Sequence, residues 1–280
     1  MEPPAAPSAI SAAIPAATLV IFRDVQGAPP ELLFVERAKT MAFAGGALVF
    51  PGGRVDPGDH ALARAIGFAA SPATHVRPGA NEGPGANGGH DEDEGAARIA
   101  AIRETIEEVG VPIGISPMPS PDTLDRMRAA LHAGAPFADV LQTAAAILDL
   151  GALEYFARWR PAHAHARIFD TRFYLARWPA DAPPPRVDAT ENIRLSWSSA
   201  AAVLQDADAG RATIIFPTRR NLERLAQFAD FEAAVADARA HPVRTVTPWT
   251  ETRGGVEHLC IPEDLGYPVT SQPMSDAVRG

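Results

Sequence analysis

Three glutamates, Glu104, Glu107 and Glu108, stand at spacings of three and four in the run Arg103-Glu104-Thr105-Ile106-Glu107-Glu108-Val109. In a helix that spacing puts all three on one face. Like charges so placed repel by ~0.2–0.5 kcal/mol per pair on an exposed helix, and by more where they line a cleft. A hard cation removes the penalty. Magnesium takes oxygen ligands, keeps several waters and is commonly shared between a few carboxylates and substrate phosphates. A solvated helix face has the same pattern, so the patch alone leaves both readings open. Arg103 sits four residues before Glu107 and is placed to orient it. Upstream, Gly45-Gly46-Ala47-Leu48-Val49-Phe50-Pro51-Gly52-Gly53 is apolar and glycine-rich, a backbone able to approach a ligand closely.

Context favours the metal. The segment Phe50 to Asp59 together with the carboxylate helix resembles the Nudix box: Gly, five residues, Glu, seven residues, then Arg-Glu-aliphatic-any-Glu-Glu-any-Gly-aliphatic. Gly53, Arg103, Glu104, Glu107, Glu108, Gly110 and Val111 occupy their positions, while Asp59 stands for the early Glu and Thr105 for an aliphatic residue. The 43 residues from His60 to Ile102 replace the usual seven. Closure entropy grows only with the logarithm of loop length, so the two halves of the box can still meet. A box split at this point resembles the Nudix branch that hydrolyses coenzyme A and acyl-CoA. The pattern preceding the box in that branch is also present in Leu33, Phe34, Arg37, Ala38, Gly46 and Phe50 to Gly53, with Val35 replacing a Thr and Ala42 a second Arg. Loss of that Arg weakens the substrate assignment and leaves the metal site untouched, because guanidinium groups grip phosphate oxygens bidentately.

The resemblance implies an α/β fold, a Nudix-type α/β/α sandwich with a mixed β-sheet, and attack of water on a diphosphate phosphorus. It implies Mg2+ (or Mn2+) held by Glu104, Glu107 and Glu108, one of them also a candidate base, with Arg103 as orienter. Nudix enzymes often recruit a further acidic group downstream, for which Glu191 is the candidate. Arg37, Gly52 and Gly53 are candidates for substrate binding, an ordinary strand Arg being the alternative for Arg37. The substrate reading is coenzyme A or an acyl-CoA, cut to 3',5'-ADP and an (acyl-)phosphopantetheine. The alternatives are a pyrophosphatase for ADP-ribose, NADH or a sugar nucleotide, and a non-catalytic nucleotide-binding module, against which the retained glutamates count.

These groups need a scaffold. Ala17 to Arg23 and Glu31 to Arg37 read as a strand hairpin, Ala61 to Ala69 as a helical turn or two, and Ser71 to Gly89 as a loop dense in Gly, Pro and Asn. That loop is a candidate lid. Glu94 to Val109 reads as a helix stopped by Gly110, with His90 to Glu94 as a solvated acidic approach to it. Helices are expected at Asp122 to His132, Phe137 to Leu148, Thr218 to Phe228 and Asp230 to Ala240. Strands are expected at Leu153 to Trp159, Arg167 to Trp178, Ile193 to Trp197, Val243 to Thr250 and Val256 to Ile261. The organisation read from this is a flexible arm at 1–15, one domain at 16–262 with an inserted loop at about 60–95, and a tail at 263–280. His163 and His165 read as solvent-exposed and Cys260 as a packed thiol. Phe173, Tyr174 and Trp178 read as core, with stacking on an adenine as the alternative.

Composition narrows the partners. A formal charge of -9 disfavours nucleic acid and anionic membrane, which require a basic surface. The apolar stretch from Ala12 to Phe22 is too short to span a bilayer and contains Pro15, so no transmembrane helix is expected. With no basic residue before Arg23 and a single cysteine, the cytoplasm is the default. The partner is then a small molecule, which the resemblance implies is a diphosphate, and the oligomeric state is left open.

Overall fold

A computed structural model describes residues 13–41, 44–67, 87–161, 168–187 and 192–277. The site is built around β1 (Ile14–Arg23), whose apolar residues point both ways: Ala17, Leu19 and Ile21 to one face, Val20 and Phe22 to the other. A strand buried on both faces belongs at the centre of a covered sheet. β1 runs parallel to β8 (Phe169–Arg177) over nine residue pairs, and antiparallel to β2 (Glu31–Arg37) and to β4 (Gly52–Arg54). β3 (Leu48–Val49) and β9 (Asn192–Ser198) pair with β2, while β7 (Glu154–Trp159) pairs with β8 and carries β10 (Thr245–Val246) at the edge. The sheet is therefore mixed.

Helices cover both faces. On one lie α1 (Pro57–Ile66), α2 (Asn87–Val109), α3 (Pro121–His132) and α4 (Phe137–Thr143), burying Ala63, Ile99, Ile102, Ile106, Leu124 and Val140 against Leu19, Leu33 and Val35. On the other lie α5 (Ala200–Asp208), α6 (Phe216–Leu225) and α7 (Phe231–Ala240), burying Val203, Leu222, Leu225 and Ala234 against Val20, Phe22 and Phe34. This is the α/β/α sandwich. Phe173 and Tyr174 are core residues of β8 on opposite faces, and Trp178 packs edge-on against Trp197.

Several elements differ from expectation. α2 begins at Asn87, so His90 to Glu94 is helical and not a loop. The last residue of that acidic run is not solvated either: Glu94 is buried, accepts from Arg98 Nε at 2.9 Å and lies 3.7 Å from Arg172 Nε. Two guanidinium groups make that burial tolerable. Glu92 pairs with Arg64 of α1, which ties the two helices flanking the insertion together. α4 stops at Thr143 because Ala145 turns to φ 51, freeing Ile147–Leu148 as β6 to pair with β5 (Ile115–Ser116). The Val243 to Thr250 segment divides into β10 and β11 (Trp249–Arg253), and β11 folds back antiparallel on β12 (Val256–Cys260) through Gly254 and Gly255, both at positive φ.

Beyond Ile261, Leu265 and Tyr267 are buried, and β13 (Ser271–Pro273) pairs with β12. The Tyr267 hydroxyl donates to Asn221 Oδ1 and accepts from Trp159 Nε1, both at 3.0 Å. Cys260 is buried and free. Most of the proposed lid, the position of Ala42, and His163 and His165 lie outside the described residues.

Candidate active site

Asp59 explains how the split box closes. It sits at the start of α1, 2% exposed, where its Oδ2 accepts from the backbone N–H of Asp56 at 2.9 Å. From there it grips Arg103 of α2 with both oxygens: Nε reaches Oδ1 at 3.0 Å and Nη2 reaches Oδ2 at 2.9 Å. Bidentate carboxylate–guanidinium pairs fix direction as well as distance. Arg103 also donates from Nη2 to Arg54 O at 2.9 Å and from Nη1 to Glu104 Oε1 at 2.8 Å, and lies 3.6 Å from Glu107 Oε2. One side chain thus connects both halves of the box with two of the three carboxylates. Burial opposes its charge, yet the hydrogen bonds to Asp59 and the neighbouring carboxylates hold its pKa above the ordinary value.

The glycines act by what they lack. A Cβ on Gly53 would stand 2.3 Å from Glu104 Cδ, and one on Gly52, at φ 154, would stand 2.3 Å from Ala17 O. β4 can therefore lie against both β1 and the carboxylate helix. The Gly52 N–H is free to donate to Glu108 Oε2 at 3.0 Å. Gly110 takes φ 66 to end α2, and Arg128 of α3 donates to the last-turn carbonyls of Glu107 and Glu108, each at 3.0 Å. A cation on those carbonyls complements the helix terminus.

Arg37, Gly52, Gly53, Asp59, Arg103 and the three glutamates line one cleft of about 780 Å³. Its far wall comes from the α3–α4 turn, with Leu131, Pro136 and Phe137, and from Phe169 of β8. His132, on the last turn of α3, enters the cleft 3.6 Å from Glu107 Oε1. Motif reading missed Arg128 and His132, which are 20 or more residues along the chain from the glutamates they meet or support. Glu191 lies outside the described residues; its neighbour Asn192 is fully buried beside Glu108.

The carboxylates are held in a form that wants a cation. Burial pushes Glu104 up to about 7 despite the pull of Arg103, and pushes Glu108 up to about 8, where the charge of Glu104 adds to the shift. Among the described residues no three Asp, Glu, His or Cys side chains already converge as a metal cage. The donor chemistry, three carboxylates on one helix face, fits a divalent cation that completes its shell with water and phosphate. Titration exposes the strain. In the metal-free protein these carboxyls release protons at about 7 and 8 when folded, against 4.5 when unfolded. The folded state holds more protons on these two groups in that window, so their contribution to stability is full below about pH 4.5 and falls as pH rises to about 8. Thermal melts in EDTA should show a lower Tm at pH 8 than at pH 5.5, with excess divalent cation restoring it; a flat profile would contradict this.

Residues 7–225 match the family model described as the NUDT19 Nudix domain. The chain belongs to that Nudix family. It is 28% identical over 276 residues to an acyl-coenzyme A diphosphatase, NUDT19, of Gallus gallus, covering 85% of this chain and 73% of that relative. The crystal structure of a Nudix hydrolase from Alicyclobacillus acidocaldarius superposes with a TM-score of 0.63 at 29% identity, over 80% of this chain and 96% of that one. The chain is accordingly a Nudix hydrolase acting on diphosphate bonds, and Nudix hydrolases generally use divalent metals. Among the described residues no helix is long and apolar enough to cross a membrane.

Proposed function

We propose that this Nudix hydrolase cleaves coenzyme A or acyl-CoA to 3',5'-ADP and (acyl-)phosphopantetheine, using Mg2+ or Mn2+ held by Glu104, Glu107 and Glu108. The observation that carries the substrate is the similarity to the acyl-CoA diphosphatase over most of the chain. The cleft supports it with an acidic floor for the diphosphate and an apolar wall at Leu131, Pro136 and Phe137 beside which a pantetheine or acyl arm can lie. A bound divalent cation would supply charge to the phosphoryl oxygens and acidify a water. Arg103 holds Glu104 and Glu107 in register, and Gly52 fixes Glu108 through its N–H. Arg37 presents a guanidinium to the same cleft for a phosphate oxygen. Glu191 is proposed as the further acidic group. The cytoplasm suits the single unpaired thiol.

Initial rates on coenzyme A, acetyl-CoA, ADP-ribose and NADH test the assignment. The highest kcat/KM should fall on a coenzyme A substrate. Preference for ADP-ribose or NADH would replace it with the reading of a pyrophosphatase for ADP-ribose, NADH or a sugar nucleotide, which Ala42 in place of the second Arg leaves open.

A further inference from the structure

Asn192, the first residue of β9, is fully buried although it borders a solvent-exposed stretch: Ile193 and Arg194 both face water. Strict alternation would put Asn192 on the same side as Arg194. The register explains the exception. Glu36 of β2 pairs with Arg194 but Arg37 pairs with Asn192, so Ile193 is the extra residue of a β-bulge. A bulge re-aims the side chain next to it. Here it turns Asn192 to the face that carries Leu33, Val35 and α2, where its amide stands beside the Glu108 carboxyl and favours the ionised form. That carboxyl already accepts from the Gly52 N–H at 3.0 Å. The Gly52 N–H and the Asn192 amide are both neutral, so they favour one orientation of Glu108 without an ion pair of the kind that meets Glu94, and the more distant charge of Arg37 adds only a weak pull. Glu94, on the same helix, is instead met by two guanidinium groups.

We propose that Asn192 is a positioning residue that holds Glu108 in the orientation a divalent cation requires. This rests on the metal-hydrolase reading above. The test is calorimetric titration of Mn2+ into the wild type, Asn192→Leu and Asn192→Ser, with kcat and KM for coenzyme A and metal-free melting temperatures measured alongside. Leucine keeps the bulk and removes the donor; serine keeps a donor. The Leu variant should bind Mn2+ about 10-fold or more weakly and lose about 10- to 100-fold in kcat, with KM within about twofold, and Ser should recover part of both. Unchanged Mn2+ affinity in the Leu variant, whether its Tm falls or its KM rises, would overturn the inference. So would a Ser variant as impaired as Leu. Should Leu fail to fold, Asn192→Ala takes its place, and a Ser variant whose Mn2+ affinity and kcat lie no nearer the wild type than those of Ala would overturn the inference. A wild type that neither binds Mn2+ nor cleaves any diphosphate would remove the metal-hydrolase reading itself, a result separable from failure at Asn192.

Discussion

Replacing Glu108 by Gln should cut kcat by about 10²- to 10³-fold while leaving the metal-free protein as stable as the wild type or more so. The two effects share one cause. Glu108 is buried, and burial together with the charge of Glu104 pushes its carboxyl up to about 8, so the ionised form is held against its preference. Glutamine keeps the shape and an acceptor for the Gly52 N–H, removes the charge, and relieves that cost. What it cannot do is pull a divalent cation toward the phosphates. Glu107→Gln should show the same loss of turnover, since Glu107 faces the same cleft and lies near both Arg103 and His132. Steady-state rates paired with melts in EDTA read both quantities. Turnover within a few fold of wild type in either variant would sink the assignment of the carboxylates.

Asp59→Ala should destabilise the fold and slow it chemically. Removing one partner of a buried ion pair strands the other charge and costs about 3–5 kcal/mol. Here the group left behind is Arg103, 8% exposed, whose remaining partners, Glu104, Glu107 and the Arg54 carbonyl, put the cost toward the lower end of that range. For a chain of this size that corresponds to a fall of roughly 10 °C in Tm. Because Arg103 also holds Glu104 at 2.8 Å, its release should lower kcat about 10- to 100-fold. Thermal melts and coenzyme A turnover measure the pair. A variant melting within about 2 °C of wild type would show that the two halves of the box are joined by something other than this clasp.

The sequence made the chemistry more legible than its supports. Glu104, Glu107 and Glu108 could be read because helical periodicity alone puts them on one face, and the family spacing singled them out from an ordinary charged helix. Gly52 and Gly53 could be read as a close approach, though only the structure shows that the space is filled by Glu104 and Ala17. Asp59 looked like a mild substitution for Glu. Its role depends on α1 and α2 lying side by side after a long insertion, which no local pattern encodes. Arg128, His132 and Asn192 reach the site from α3 and β9 through the tertiary fold, so their sequence neighbourhoods carry no signal of it. The burial of Glu94 is hidden for a related reason: an acidic run resembles a solvated loop unless Arg98 and Arg172 are known to face it. The strands at 17–23 and 31–37 were legible from their apolar runs, whereas the parallel pairing of β1 with β8, more than 150 residues apart, was not.

The most direct test of the central claim is the mass of the products formed from coenzyme A with Mg2+ present, run beside Glu107→Gln. The expected products are 3',5'-ADP and 4'-phosphopantetheine in equal amounts, with almost none from the variant. Release of inorganic phosphate and dephospho-coenzyme A, or equal product from the variant, would contradict it.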